Sequence, residues 1–190
     1  MKTIQTSLND VLILEPTVFQ DKRGFFLESY TRKEMDAHGV RDAFVQDNHS
    51  FSLEHVLRGL HYQVEQPQGK LVRVIAGEVV DVAVDLRRSS TTFGKWESFI
   101  ISAENLRMLW IPPGFAHGFY VRSTSAHFVY KTTAYYQPQF ERTIAWNDPD
   151  LRIDWQLRQE PFVSAKDRVG MPFRSAPVFE ERVRRVRAGV

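Results

Sequence analysis

The 190-residue chain contains no cysteine. Disulfides, thiolate catalysis and Cys-ligated metal sites are therefore excluded, and the absence is typical of proteins in reducing compartments. The sequence also lacks an apolar run long enough for a signal peptide or a membrane span. We therefore expect a soluble, cytoplasmic protein with no membrane partner.

An excess of charge of one sign is equally absent. The 25 Lys and Arg residues against 23 Asp and Glu leave a formal net charge of +2, which argues against a general nucleic-acid or membrane surface. Much of the positive surplus lies in the C-terminal tail, at Arg182, Arg184, Arg185 and Arg187. We interpret this cluster as the solvated face of a terminal helix.

Glycine-rich phosphate loops and histidine metal motifs are also missing. There is no G-x-G-x-x-G and no Walker-type lysine, so any phosphate must be held by side chains. Arg23 and Arg58, each followed by glycine, are the candidates, because a guanidinium meets phosphate oxygens in a fork. None of the six histidines forms a His-x-His pair with a downstream Glu, so we expect no metal site.

What the sequence does contain is a strongly apolar chain with a β pattern. It is 43% hydrophobic with 14 Phe, enough for the core of a single domain. One helix is predicted from Thr31 to His38, with Thr31 and Glu34 as a capping box and Gly39 as the stop. About ten short strands follow at roughly 8–12-residue spacing, a pattern typical of a sandwich or barrel.

Within this pattern, residues 44–52 alternate strictly, and residues 71–75 and 79–86 are predicted to form a hairpin around Ala76-Gly77-Glu78. Ser164 is predicted to open a short second helix. We divide the single domain of residues 1–190 into N-terminal strands with one helix (1–44), a core (45–150) and a C-terminal wrap (151–190).

Three stretches carry groups suited to catalysis. Arg58, His61 and Lys70 supply an anion clamp, a base and an electrophile, the parts needed to remove a proton beside a carbonyl. A Pro-Gly turn delivers His117 at the start of an aromatic strand, and Tyr130 lies inside a later strand, where it is a candidate general acid. Ideal alternation puts Arg58 and His61 on opposite faces, but the glycine between them permits a bulge that brings both inward.

The same stretches belong to an ordered series of motifs, by which the chain resembles the dTDP-4-dehydrorhamnose 3,5-epimerases from about residue 21 to residue 167. The motifs are Arg23-Gly24-Phe25-Phe26-Leu27-Glu28-Ser29-Tyr30, Gln46-Asp47-Asn48-His49-Ser50, Arg58-Gly59-Leu60-His61, Gln68-Gly69-Lys70, Pro113-Gly114-Phe115-Ala116-His117-Gly118-Phe119, Tyr130-Lys131-Thr132-Thr133, Ile144-Ala145-Trp146-Asn147-Asp148-Pro149 and Ser164-Ala165-Lys166-Asp167. The resemblance implies an all-β, cupin-like jelly roll with a few short helices. It also implies a homodimer with exchanged N-terminal strands, and catalysis without a cofactor.

The resemblance further implies the role of each site residue. His61 takes protons from C3 and C5 of a dTDP-4-keto-6-deoxy sugar, Asp167 pairs with it, and Tyr130 returns a proton from the opposite ring face. Lys70 stabilises the enolate oxygen, and Tyr136 stacks on the thymine. The other substrate-binding positions are Arg23, Glu28, Gln46, Asn48, Arg58, His117, Glu141 and Lys166.

Three alternatives stay open at the level of sequence. A relative that inverts only one carbon of a related sugar shares the same base and acid. A metal-dependent cupin enzyme is suggested by the barrel and its histidines, and a non-catalytic nucleotide-sugar-binding barrel by the binding residues alone. Exchange of the C3 and C5 protons and the effect of a chelator distinguish these alternatives.

Overall fold

A computed structural model describes residues 1–180 and 183 of the chain. Thirteen strands dominate it: β1 Lys2–Gln5, β2 Leu12–Glu15, β3 Val18–Asp21, β4 Gly24–Leu27, β5 Gln46–Leu53, β6 Leu57–Gln63, β7 Lys70–Ala76, β8 Glu78–Asp85, β9 Trp96–Ser102, β10 Met108–Ile111, β11 Phe115–Val121, β12 Ser125–Thr132 and β13 Glu141–Thr143. Two short α-helices, α1 Arg32–Ala37 and α2 Ala165–Arg168, and two 3₁₀ turns, Pro138–Phe140 and Phe173–Ser175, complete this part of the chain. In it, no helix has the length and apolar character needed to cross a membrane.

The strands form two packed antiparallel sheets. A six-stranded sheet has the order β1-β2-β10-β7-β12-β5, and a five-stranded sheet has the order β13-β6-β11-β8-β9. A third, two-stranded sheet contains only β3 and β4. The prediction of a mainly β, jelly-roll-like sandwich is confirmed.

The core lies between the two large sheets. Val72 and Val74 of the six-stranded sheet meet Val79 and Ala83 of the five-stranded sheet, together with the buried ring of Phe128. The outer face of the five-stranded sheet is also apolar, and side chains between residues 144 and 179 pack on it. Both faces of β8 are therefore buried, as its continuous valine-rich sequence requires.

Two local predictions are confirmed by the helix caps. Thr31 is the N-cap of α1, where its side chain accepts a hydrogen bond from the backbone of Glu34, and Gly39 follows the helix with φ of +86°. Ser164 caps α2 in the same way. Residues 46–53 alternate between exposed and more buried positions, as predicted for β5.

The predicted hairpin around Gly77 is wrong. β7 pairs with β10 and β12, whereas β8 pairs with β11 and β9. The chain at Gly77 therefore crosses from one sheet to the other, and β7 and β8 lie face to face instead of side by side. The chain does turn at Gly77, but β7 pairs only with strands that come more than 30 residues later, and β8 pairs with the next strand, β9, and with the more distant β11.

The C-terminal arginine cluster, Arg182, Arg184, Arg185 and Arg187, lies outside the described residues.

Candidate active site

A one-residue bulge in β6 decides which of its side chains enter the space between the sheets. His117 and Phe119 of β11 are two residues apart, but their partners on β6, His61 and Arg58, are three apart. The extra residue lets both Arg58 and His61 line the same cavity. The prediction that the strand bends at Gly59 is confirmed.

Glycine is required at this bend for two reasons. Gly59 has φ of +119°, a backbone conformation that residues with a side chain rarely adopt. A Cβ atom at this position would lie 2.6 Å from the Cα of Gly118 on β11. The close approach of the two glycines thus allows β6 to bulge without losing contact with its neighbour.

His61 forms a short hydrogen bond with a buried carboxylate. Its Nε2 lies 2.5 Å from Oδ1 of Asp167, whose side chain is 3% exposed. Burial opposes ionisation of Asp167, but the hydrogen bonds from His61, from Ser164 and from the backbone of Gly59 hold its pKa below the usual value. Because the ionised carboxylate accepts a hydrogen bond from Nε2–H, Nδ1 of His61 carries the lone pair that a base needs.

A second histidine–carboxylate pair lies deeper between the sheets. Nε2 of His117 donates to both oxygens of Asp81, at 2.9 and 3.0 Å, and both residues are buried. Burial lowers the pKa of His117, although Asp81 opposes this effect, while Lys70 and His61 add to it. The imidazole of His117 is therefore neutral at pH 7.

Lys70 supplies a cation from the opposite sheet. It begins β7, is 8% exposed, and shares the inward face of that strand with Val72 and Val74. Burial lowers the Lys70 pKa to about 8, and nearby Asp81 and Glu141 prevent a larger decrease. At neutral pH the side chain is an ammonium ion in a poorly solvated cavity, where its charge acts strongly on a developing anion.

Tyr130 projects from β12 of the six-stranded sheet and faces groups of the other sheet. It packs beside Phe128, with ring centroids 5.9 Å apart. Burial raises the Tyr130 pKa, the charge of Glu141 raises it further, and Arg58 opposes both. The hydroxyl therefore keeps its proton at neutral pH, as a proton donor must.

At the edge of the cavity, Glu141 joins two further predicted site residues. Its carboxylate forms an ion pair with Lys166 and accepts a hydrogen bond of 2.8 Å from the hydroxyl of Tyr136. Burial opposes ionisation of Glu141, but Lys166 and Tyr136 outweigh it and lower the pKa. Tyr136 itself is 49% exposed.

Gln46, Asn48 and Arg58 are three further predicted binding residues, of which Arg58 lines the cavity beside His61. The Gln46 amide donates to the Asn48 side chain at 2.9 Å, and Asn48 lies opposite Tyr130 in the β5–β12 pair. The exposed guanidinium of Arg58 donates to the hydroxyl of Ser52 at 3.0 Å. Amide and guanidinium donors at an exposed rim are suited to an anionic, hydrogen-bonding ligand.

The cavity beside His61 has a volume of about 420 Å³ and is bordered by Arg58, Lys166 and Asp167. This volume is within the range that accommodates small ligands. Over residues 1–180 and 183, no three His, Cys, Asp or Glu side chains are grouped so that they could hold a metal ion.

Arg23 and Glu28 lie elsewhere in the chain. Arg23 is at the tip of the β3–β4 hairpin, where its 90% exposed side chain forms an ion pair with Asp21 at 2.6 Å. Glu28 follows the hairpin and borders a separate cavity with Met1 and Thr31. A single chain therefore does not bring these two predicted residues to His61.

Asp81 is the site residue that sequence reasoning missed. Its carboxylate is fully buried and holds His117. The available signal was its position in the run Val79-Val80-Asp81-Val82. A carboxylate inside a strand that is apolar on both faces must have a buried partner.

Comparison with known proteins places these features in a family. A family model described as dTDP-4-dehydrorhamnose 3,5-epimerase matches residues 5–175. The chain is 56% identical to a dTDP-4-dehydrorhamnose 3,5-epimerase of Pseudomonas aeruginosa over 94% of this chain and 99% of that protein. A crystal structure of a dTDP-6-deoxy-D-glucose-3,5-epimerase from Legionella pneumophila, in complex with dTDP-4-keto-L-rhamnose, has a TM-score of 0.93 and 48% identity over 96% of this chain and 99% of that one. A 3'-monoepimerase from Streptomyces bikiniensis, in complex with dTDP-quinovose, is also similar, with a TM-score of 0.84 and 29% identity over 90% of this chain and 87% of that one.

Proposed function

The chain belongs to the dTDP-4-dehydrorhamnose 3,5-epimerase family, and from this premise we propose how its cavity acts as the active site of an isomerase. The substrate is dTDP-4-dehydro-6-deoxy-D-glucose, which is inverted at C3 and C5 to give dTDP-4-dehydro-L-rhamnose. The observation that carries the assignment is the His61–Asp167 pair, with His61 on the five-stranded sheet, while Tyr130 projects from the other sheet toward Arg58 and Glu141. Inversion requires a base and an acid on opposite sides of the ring.

The reaction starts with proton removal. The 4-keto group acidifies the C–H bonds on both neighbouring carbons, so one base between them can serve both. His61 accepts the proton at Nδ1, and the imidazolium that forms is stabilised by the carboxylate of Asp167. The electron pair of the broken C–H bond moves onto the ketone oxygen and forms an enolate.

The enolate is stabilised by Lys70 and then protonated by Tyr130. The Lys70 ammonium lies in a buried setting where its charge is little screened. Tyr130 then donates its proton to the carbon from the face opposite His61, and the configuration at that carbon is inverted. His117, held neutral by burial next to Asp81, is suited to a hydrogen bond with a ring hydroxyl. No step of this scheme calls for a metal ion or an organic cofactor.

The nucleotide is bound at the exposed rim. Arg58 and Lys166 provide positive charge for the diphosphate, and the exposed ring of Tyr136 provides a stacking surface for the thymine. Gln46, Asn48 and Glu141 supply hydrogen-bonding groups between these two ends.

We also propose that the enzyme is a homodimer in which each β3–β4 hairpin covers the cavity of the partner subunit. The hairpin forms a sheet of its own and exposes the rings of Phe19, Phe25 and Phe26 by 56–64%. An exposed aromatic surface of this kind is typical of a protein–protein interaction site. In the dimer, Arg23 and Glu28 would complete the binding site from across the interface. The cysteine-free sequence supports a cytoplasmic location for this enzyme.

NMR of the substrate in D₂O with the purified protein tests the proposed reaction. Deuterium at both C3 and C5 of the product is the expected result. Deuterium at one carbon only would identify a single-carbon epimerase, the second candidate, which the similarity to a 3'-monoepimerase keeps relevant. No exchange at either carbon, with dTDP still bound, would refute epimerisation.

A further inference from the structure

Gln63 is a buried glutamine whose side chain forms hydrogen bonds with backbone groups on both sides of Tyr136. It ends β6, two residues after His61, and is 3% exposed. Its amide donates to the carbonyl oxygen of Gln66 at 2.9 Å and to that of Tyr135 at 3.3 Å, and its oxygen accepts from the backbone N–H of Gln137 at 2.8 Å. The residues on either side of Tyr136 are therefore fixed by one side chain.

Two other glutamines hold the same loop. The side-chain oxygen of Gln46 accepts a hydrogen bond of 3.0 Å from the backbone N–H of Tyr136. The side-chain amide of Gln68 donates to the carbonyl oxygen of Ala134 at 2.9 Å. Residues 134–137 are thus held at four successive positions by glutamines from three separate segments, with Gln63 as the most buried of them.

The hydroxyl group of Tyr136 is held by Glu141, which is the strand partner of Gln63. Gln63 is paired in register with Glu141 across β6 and β13, and Glu141 accepts the hydrogen bond from the Tyr136 hydroxyl at 2.8 Å. Backbone and hydroxyl are both held, yet 49% of the residue remains exposed. This combination produces a rigid aromatic surface that is open to a ligand.

We propose that Gln63 is a positioning residue that presents Tyr136 to the base of a nucleoside-diphosphate sugar. The proposal rests on the proposed function, because it needs a nucleotide to stack on Tyr136. A loop that is already ordered loses less conformational entropy when the ligand binds. Loss of Gln63 should therefore weaken binding of the nucleotide and leave the proton transfers at the sugar almost unaffected.

The test compares Gln63→Ala with Gln139→Ala, a control in the same segment whose exposed side chain donates a hydrogen bond to the side chain of Gln137. For Gln63→Ala we expect KM for the keto sugar and Kd for dTDP, measured by calorimetry, to rise about tenfold, with kcat within about twofold of the wild type. The control should match the wild type in all three. In a Tyr136→Ala background, Gln63→Ala should add less than about twofold, because both changes remove the same stacking interaction.

Three results would overturn the proposal: an unchanged Kd for dTDP, a lower kcat with an unchanged KM, or effects of Gln63→Ala and Tyr136→Ala that multiply. If Gln63→Ala does not fold, Gln68→Ala is judged by the same three criteria at the other end of the loop. Deuterium exchange by the wild-type protein distinguishes failure of the positioning role from failure of the proposed function. Exchange at C3 and C5 together with an unaffected Gln63→Ala refutes only the positioning role, whereas absence of exchange in the wild type refutes the proposed function.

Discussion

Replacing Lys70 by methionine should make the protein more stable and much less active. Burial lowers the Lys70 pKa from 10.5 to about 8, even though Asp81 and Glu141 partly compensate the charge. At 1.36 kcal/mol per pKa unit, this difference means that the folded state disfavours the ammonium by about 3 kcal/mol. Lys70→Met keeps an unbranched side chain that is one atom shorter and removes that cost, so we expect a gain of up to about 3 kcal/mol in the free energy of unfolding at pH 7.

The pH dependence of stability gives this prediction a second signature. Below about pH 8, Lys70 is protonated in both the folded and the unfolded state, and the whole penalty applies. Between about pH 8 and 10.5 the folded state releases its proton while the unfolded state retains it. Because the unfolded state then binds more protons, this group makes the wild type more stable as the pH rises. In Lys70→Met that contribution is absent.

Urea unfolding at pH 7 and pH 9.5 measures both effects, and steady-state kinetics measure the loss of enolate stabilisation. We expect kcat to fall by about 10²–10³-fold, the usual effect of removing one group that stabilises an oxyanion. Lys95→Met, at an exposed position, is the matched control and should change neither quantity. A Lys70→Met variant that unfolds more readily than the wild type at pH 7 would show that the buried ammonium stabilises the fold, and would refute the reasoning. A kcat equal to that of the wild type would remove Lys70 from the mechanism.

Three further predictions concern the proton-transfer groups and the dimer. His61→Ala should abolish deuterium exchange at C3 and C5 while calorimetry shows dTDP binding retained; exchange at the wild-type rate would exclude His61 as the base. Asp81→Asn removes the charge that contributes most to keeping Lys70 protonated, so the alkaline limb of the kcat–pH profile should move from about pH 8 to lower pH; an unmoved limb would assign it to another group. Arg23→Ala alone should be weakly active and His61→Ala alone inactive, but mixed subunits should regain activity, because half of the sites in the mixed dimers have both residues intact; no recovery after verified exchange of subunits would argue against a shared site.

Local sequence signals were sufficient wherever the structure is determined by neighbouring residues. Thr31 and Ser164 predicted both α-helices, because an N-cap needs only a side-chain oxygen and the next turn of backbone. The bend at Gly59 was also predictable, because Arg58 and His61 could share a cavity only if the strand departed from strict alternation. In each of these cases the relevant geometry spans fewer than about five residues.

Local sequence signals were insufficient where strand pairing or a side-chain contact depends on residues that are distant in sequence. The turn at Gly77 predicts a hairpin, but which strands β7 and β8 pair with is decided by residues 108–132 and 96–121. Asp81 was overlooked for the same reason, since its partner His117 is 36 residues away. The roles of the site residues came from ordered motifs, whereas periodicity alone indicated only which face of a strand each residue occupies.

The crossing at Gly77 has a consequence for how the chain reaches its native state. Because β7 and β8 go to different sheets, pairing of neighbouring strands can join β8 to β9 but cannot complete the centre of the fold, and long loops must close to join β7 with β12 and β8 with β11. Proteins dominated by such distant pairings fold in milliseconds to seconds, far more slowly than helical bundles. His61 and Tyr130 lie on strands that depend on these pairings. We therefore expect the catalytic side chains to come together late in folding. Activity should return during refolding only as the complete sandwich forms.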